Sequence, residues 1–328
     1  MTGNDSMQVQ TTFKRDWSNY NASQTSEKLI VMKIINDAVE SMNIEYKYAG
    51  NGRPSIGTED MLKVCLLKVF NGFSQRRTIP DLHMAKALGY IMDVPHFNSI
   101  SNYFDKEELT PYLEDLYKIL ALPFREIESY FAIDSTGFGK YNTTWLRVKK
   151  DRKQWKSFNK LHIICGVQTT IISSVKITDA HQHDVLKFSE LLKDTCKYFN
   201  VKEISGDKGY LANYNVMQAK RLGVTPYILP KKNSKLYSGR IGDGETWDWM
   251  INLWRHHEEE FRSHYHKRSN VESTFSSMKR KFLPYVRSKK QTSQKNEILA
   301  KVCCHNASVL VNAIFELNLQ AKFQKQAS

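Results

Sequence analysis

Three acidic residues stand where they could act together. Asp134 follows the apolar run 130–133, within Ala132-Ile133-Asp134-Ser135-Thr136, and Asp207 follows the run 201–205, within Ile204-Ser205-Gly206-Asp207-Lys208-Gly209-Tyr210. Each is expected at the end of a strand. If the two strands are parallel neighbours, both carboxylates emerge at the same sheet edge, where α/β sheets receive their ligands. Two adjacent carboxylates are costly unless a cation lies between them, and a divalent ion that prefers hard oxygen ligands, such as Mg²⁺, is the economical choice. Taken singly, either acid reads better as a cap on the segment that follows it. A third element changes that balance. Tyr265, Arg268, Glu272 and Lys279 are spaced so that, on a helix, they fall within a stripe of about 60°. A stripe holding a phenol, two cations and a carboxylate suits a site where Glu272 completes a metal cage while Arg268 and Lys279 hold phosphate oxygens. The plainer alternative is a solvated face with a weak Glu–Arg pair.

Positioning these residues requires particular elements, and the sequence patterns supply them. Residues 1–25 are polar and read as a loose tail. Helical spacing follows. Thr58 is a candidate cap for a helix with apolar Leu62, Cys65, Leu66, Val69 and Phe73, and Ser74 for one that stops at Gly89. Shorter patterns over 99–104 and 111–120 end before Pro123. Residues 26–126 are thus expected to form an all-helical domain. Its segment 98–104 could be the reading helix of a helix-turn-helix that binds DNA ends, with a packing or dimerisation module as the equal alternative.

After Pro123 the pattern turns to strands, over 130–133, 161–167 and 171–177, the last two forming a hairpin through Gln168-Thr169-Thr170. A helix over 184–199, a strand over 201–205, a helix over 212–222 closed by Gly223 and a strand over 224–229 follow. This order predicts an α/β domain over 127–318, a mixed five-stranded sheet flanked by helices, with its fourth strand parallel to its first. Residues 231–260 read as a polar, irregular connection. A long helix is expected from about Arg268, a last one over about 295–318, and a tail over 319–328.

The composition narrows the class. A hydrophobic share of 41% with only 15 Gly and 8 Pro excludes a disordered or collagen-like chain. Five cysteines without a CxxC pair, each in an apolar stretch, read as reduced thiols of a cytoplasmic protein. The most apolar windows are too short or too interrupted by polar residues to span a bilayer, so no membrane partner is expected. The net charge is +14, and its distribution says more than its total. Residues 1–130 carry 14 basic and 17 acidic side chains, and residues 131–328 carry 34 and 17. Two patches concentrate the excess. Residues 140–160 hold Lys149, Lys150, Arg152, Lys153 and Lys156 with Trp155 among them, and residues 262–301 hold Arg268, Lys279 and Arg280. Basic residues interleaved with aromatics fit a nucleic-acid backbone, because they neutralise phosphates and displace counterions. The paired histidines 181/183, 256/257 and 264/266 lack cysteine partners and make weak zinc sites. Glu258-Glu259-Glu260 reads as a solvated helix end.

The acids and the motif Tyr265-x2-Arg268-x3-Glu272-x6-Lys279 resemble the DDE transposases of bacterial and archaeal insertion sequences. The blocks Asp134-Ser135-Thr136, Lys160-Leu161-His162-Ile163, His183-Asp184 and Asp207-Lys208-Gly209-Tyr210 resemble the family in order, and the likeness covers about residues 50–315. Leu211-Ala212, where an acidic residue or Ser is usual, departs from the pattern without touching a proposed ligand. The resemblance implies a ribonuclease-H-like fold, with Asp134, Asp207 and Glu272 as catalytic ligands of two Mg²⁺ ions for which Mn²⁺ can substitute. It further implies a transposase that cuts the terminal inverted repeats of its element. The 3′ ends then join target DNA by two-metal-ion phosphoryl transfer, with a homodimer bringing the ends together beside the nucleoid. Tyr265, Arg268, Lys279 and Arg280 would meet the DNA end, and the 149–156 stretch its flanking backbone. A same-fold nuclease that cuts without joining, and a transposase-derived protein that only binds DNA, are the alternatives.

Overall fold

The computed structural model describes residues 16–45, 51, 55–140, 158–236, 244–321 and 323. The chain begins with helices α1 (Trp17–Glu40), α2 (Thr58–Asn71), α3 (Gln75–Ala87), α4 (Phe97–Phe104) and α5 (Leu109–Ala121). Strands β1 (Tyr130–Lys140), β2 (Phe158–Gly166) and β3 (Ile172–Asp179) follow, then α6 (Phe188–Cys196), β4 (Glu203–Gly206), α7 (Asn213–Arg221) and β5 (Thr225–Ile228). The remainder is α8 (Glu245–His256), α9 (Glu258–Tyr265), α10 (Ser269–Phe282), the two-residue β6 (Tyr285–Val286) and α11 (Gln291–Leu317).

Among the described residues the sheet has six strands, one more than the expected five. Its order is β3-β2-β1-β4-β5, with β6 pairing the far end of β1. β1, β2 and β3 are antiparallel neighbours, whereas β4 lies parallel to β1 and β5 parallel to β4. The expectation that Asp134 ends its strand is corrected. β1 continues to Lys140 because β2 goes on pairing with it as far as Gly139↔Phe158. What ends at Asp134 is the pairing with β4, whose last register is Ile133↔Gly206. The backbones approach closely there: a Cβ on Gly206 would lie 2.9 Å from Ile133 Cγ2. The β2–β3 turn is held by the buried Glu128, whose Oε2 accepts from the Gln168 and Thr169 amides and from Thr169 Oγ1, each at 3.0 Å.

Three further expectations change. α1 starts inside the supposed polar tail because Asp16 caps it, accepting from the Ser18 and Asn19 amides at 3.0 and 3.1 Å. Gly57 rather than Thr58 is the cap of α2, with Thr58 the first helical residue. The stretch read as irregular, 231–260, contains α8 and the start of α9. In α8, Trp247, Met250, Ile251 and Trp254 recur at helical spacing and turn inward.

α11 joins the two layers. It packs against α1, α2 and α5 on one side and reaches β2 and β3 on the other. Asn306 shows how: its Oδ1 accepts from the Ile172 amide at 3.0 Å, while its Nδ2 donates to the Tyr117 and Ile172 carbonyls at 3.0 and 2.9 Å. This helix is long and apolar enough to cross a membrane, but its apolar length is buried against the rest of the chain. The five cysteines are unpaired thiols.

Candidate active site

The β1–β4 register carries Asp134 and Asp207 to neighbouring positions, one residue beyond the Ile133↔Gly206 pair. Asp134 Oδ1 accepts from the Ser135 amide at 2.8 Å. Asp207 Oδ1 accepts from the Lys208 amide at 2.7 Å and opens the 3-10 turn Lys208–Tyr210. Glu272 lies in the first turn of α10. Burial raises the Asp134 carboxyl above the usual carboxylate range; the charges of Asp207 and Glu272 push the same way, against the Ser135 amide and Arg268. Asp134 is thus within electrostatic reach of both other acids.

Arg268 stands between two of them. Its Nη1 donates to Asp134 Oδ2 at 2.8 Å and its Nη2 to Glu272 Oε1 at 2.5 Å. A 3-10 turn, His266–Arg268, divides the four residues of the stripe, so Tyr265 closes α9 and Arg268 precedes α10. Tyr265 stacks on Phe261, with ring centroids 6.0 Å apart. Lys279 donates from Nζ to Thr136 Oγ1 at 2.6 Å and lies 5.5 Å from the Phe138 ring centroid; burial lowers its pKa. Arg280 is exposed and bonds Ser276 Oγ at 3.4 Å. Lys149, Lys150, Arg152, Lys153, Trp155 and Lys156 lie outside the described residues.

The joint between α9 and α10 is fixed to the sheet by Glu203 on β4, which accepts from His264 Nδ1 at 2.9 Å and Lys267 Nζ at 2.8 Å. Burial would raise the Glu203 carboxyl, but these two hydrogen bonds hold it below its usual value. His264 also stacks on Tyr227, with centroids 4.4 Å apart and planes 4° from parallel. It is thereby committed to positioning α9. Glu258, Glu259 and Glu260 are exposed in the first turn of α9, as a solvated helix end should be.

Three carboxylates offer hard oxygen donors suited to Mg²⁺ or Mn²⁺. Among the described residues, no three His, Cys, Asp or Glu side chains are closed into a metal cage. The guanidinium bridging Asp134 and Glu272 nevertheless stands in for a cation there, so the acids fit a positively charged occupant. Two residues of the site carried no role in the sequence reading. Thr136 receives Lys279, and the strand alternation that sets Thr136 on the same face as Asp134 was the available signal. Asp184 belongs to a block that resembles the family, but its neighbours depend on the β1–β2 register.

The comparisons with known proteins give the chain its family. The chain belongs to the family described as Transposase DDE domain, whose model matches residues 126–307, more than half of its length. The mixed sheet is accordingly ribonuclease-H-like, and the helical region before it matches Transposase domain (DUF772) over residues 21–106. The chain is similar to a protein of Archaeoglobus fulgidus described as "Probable transposase for insertion sequence element ISA1214", with 26% identity over 213 residues. That match covers 64% of this chain and 62% of the relative, so the chain spans less than two thirds of the relative's length. No solved structure matches the chain.

Proposed function

We propose that the chain is the transposase of an insertion sequence. It binds the terminal inverted repeats of its element as double-stranded DNA, cuts the DNA at their ends and joins the freed 3′ ends to target DNA. The observation that supports this reading is the β1–β4 register that sets Asp134 beside Asp207, together with Arg268, which bridges Asp134 to Glu272. These three side chains would hold the divalent ions, Mg²⁺ or Mn²⁺. Bound there, the ions would activate a water or a 3′-hydroxyl and stabilise the leaving oxygen of an in-line displacement at phosphorus.

The chain's own residues do the rest. Lys279, half-buried beside Thr136, would meet a phosphate oxygen near the scissile bond. Arg268 would exchange its bonds to Asp134 and Glu272 for the DNA phosphate as the acids take up metal. Tyr265 would pack against the DNA end, Arg280 would reach the neighbouring backbone, and the basic stretch at 149–156 would follow the flanking duplex. Joining two ends in one reaction calls for two copies of the chain.

The test is an end-cleavage and joining assay on DNA carrying the repeats that flank the gene, with Mg²⁺, Mn²⁺ or EDTA. Metal-dependent cleavage at the repeat boundary plus joined product, both lost in Glu272→Gln, is the expected result. Cleavage without joining would replace transposition with nuclease activity. Binding without cleavage, unchanged by Glu272→Gln, would leave a DNA-binding protein.

A further inference from the structure

Directly behind Asp134, on the opposite face of the sheet, lies a second polar cluster centred on Asp184. Successive side chains of a strand point to opposite faces. Asp134 meets Arg268, which precedes α10, and Thr136 meets Lys279 on α10, whereas Ser135 turns the other way. The registers Ser135↔His162 and Lys160↔Thr178 put four polar side chains on that rear face. Asp184, which begins the 3-10 turn after β3, faces them. Its Oδ1 accepts from Ser135 Oγ at 3.0 Å, pairs with Lys160 Nζ at 2.6 Å and lies 3.3 Å from His162 Nδ1, without hydrogen-bond alignment to the last. His162 is fully buried and its Nε2 meets Thr178 Oγ1 at 2.9 Å.

The same carboxylate faces the segment that bears Asp207. The turn that Asp184 begins packs on the Lys208–Tyr210 turn, and a Cβ added to Gly209 would lie 3.7 Å from Asp184 Oδ2. Tyr210 is 1% exposed and its hydroxyl lies beside Ser135 without an aligned hydrogen bond; burial, then the charges of Asp184, Asp134 and Asp207, raise its pKa. One side chain therefore binds the residue after Asp134 and lies beside the turn after Asp207. Ser135 completes the link: its side chain is held by Asp184 while its amide holds Asp134 Oδ1 at 2.8 Å. A half-buried ion pair such as Asp184–Lys160 is weak evidence for stability in itself, because desolvation offsets much of its attraction. Its placement, bridging both acid-bearing segments, is what assigns it a role.

We infer that Asp184 is a positioning residue that fixes the spacing of Asp134 and Asp207 from behind the sheet and thereby sets the site's affinity for a divalent ion. The inference rests on the metal-dependent reading above and adds a residue that takes no part in metal ligation or DNA contact. Residues supporting metal ligands typically change metal affinity by about 10–100-fold when altered.

The test is Mn²⁺ titration of the full chain, read by electron paramagnetic resonance of free Mn²⁺, with thermal midpoints measured in parallel. Asp184→Asn keeps the shape and an acceptor for Ser135 but leaves Lys160 unpaired, and its Mn²⁺ affinity should fall about tenfold. The double variant Lys160→Met/Asp184→Asn removes the stranded charge. It should regain the thermal midpoint while its Mn²⁺ affinity stays low. Unchanged affinity in Asp184→Asn, or affinity that returns with the midpoint in the double variant, would reduce Asp184 to a structural contact. Asp134→Asn separates the two readings. If wild type and Asp134→Asn bind Mn²⁺ alike, the metal site itself is wrong and the inference falls with it.

Discussion

Arg268 Nη1 lies 2.8 Å from Asp134 Oδ2, so the acid on the central strand already has a cation beside it. The other arm of the guanidinium reaches Glu272. A divalent ion entering between these carboxylates meets a like charge and must displace it. Arg268→Gln should therefore bind Mn²⁺ more tightly than wild type, by about tenfold, an advantage of about 1.4 kcal/mol. The same variant should cut DNA more slowly, because the phosphate loses its guanidinium. Mn²⁺ titration and single-turnover cleavage measured together check the opposed signs; affinity that falls with cleavage would show that Arg268 only props the acids.

Lys279 bonds no acid among its described contacts, and its nearest polar partner is the Thr136 hydroxyl. If it meets one phosphate, Lys279→Met should weaken DNA binding and make the plot of log affinity against log salt shallower by about 0.9. Thr136→Val, which removes the hydroxyl but not the charge, should leave that slope unchanged. Fluorescence anisotropy across a salt series measures both.

The close approach of β1 and β4 at Gly206 gives a packing prediction. Gly206→Ala places a methyl 2.9 Å from Ile133 Cγ2, and the strands must separate where the two acids emerge. The expected cost is about 1–3 kcal/mol of stability, with a loss of cleavage larger than the unfolded fraction explains. Urea denaturation and the cleavage assay provide the two numbers.

His305, on α11, is fully buried and meets the Thr170 carbonyl at 2.9 Å through Nε2; burial lowers its pKa from 6.5 to about 4. The unfolded chain therefore takes up a proton that the folded chain resists. The stability associated with a neutral His305 is present above pH 6.5 and is lost as pH falls toward 4. His305→Gln keeps a donor for Thr170 without titrating. Its thermal midpoint should depend less on pH across that window, as differential scanning calorimetry at stepped pH would record.

How much of this was legible in the sequence depended on which physical signal each residue carried. Asp134 and Asp207 could be matched because each closes a short strand-like segment, and a right-handed crossover brings those segments side by side. Glu272 and Lys279 were legible because helical spacing alone puts them on one face. Of the two partners of Arg268, Glu272 follows from the same spacing, whereas Asp134 was not legible, since periodicity fixes a face and not what lies across from it. Ser135-Thr136-Gly137 gave no alternation from which to read the continuation of β1 to Lys140; that continuation is imposed by β2. α8 was overlooked because the polar, glycine-containing residues before it masked the spacing of Trp247, Met250, Ile251 and Trp254, which was present to be read. The role inferred for Asp184 depended on register, which no local pattern specifies.

The position of α11 has a consequence for biosynthesis. Domains ordinarily fold from the amino terminus while synthesis continues. Here the partner on which α1, α2 and α5 pack is translated after the whole sheet. Until it emerges from the ribosome, the first helices lack the surface that buries their apolar sides, and the β2–β3 turn lacks His305 and Asn306. Every nascent chain therefore passes through a long interval with its amino-terminal helices uncovered. A message truncated before α11 would yield a chain for proteolysis rather than a smaller working protein.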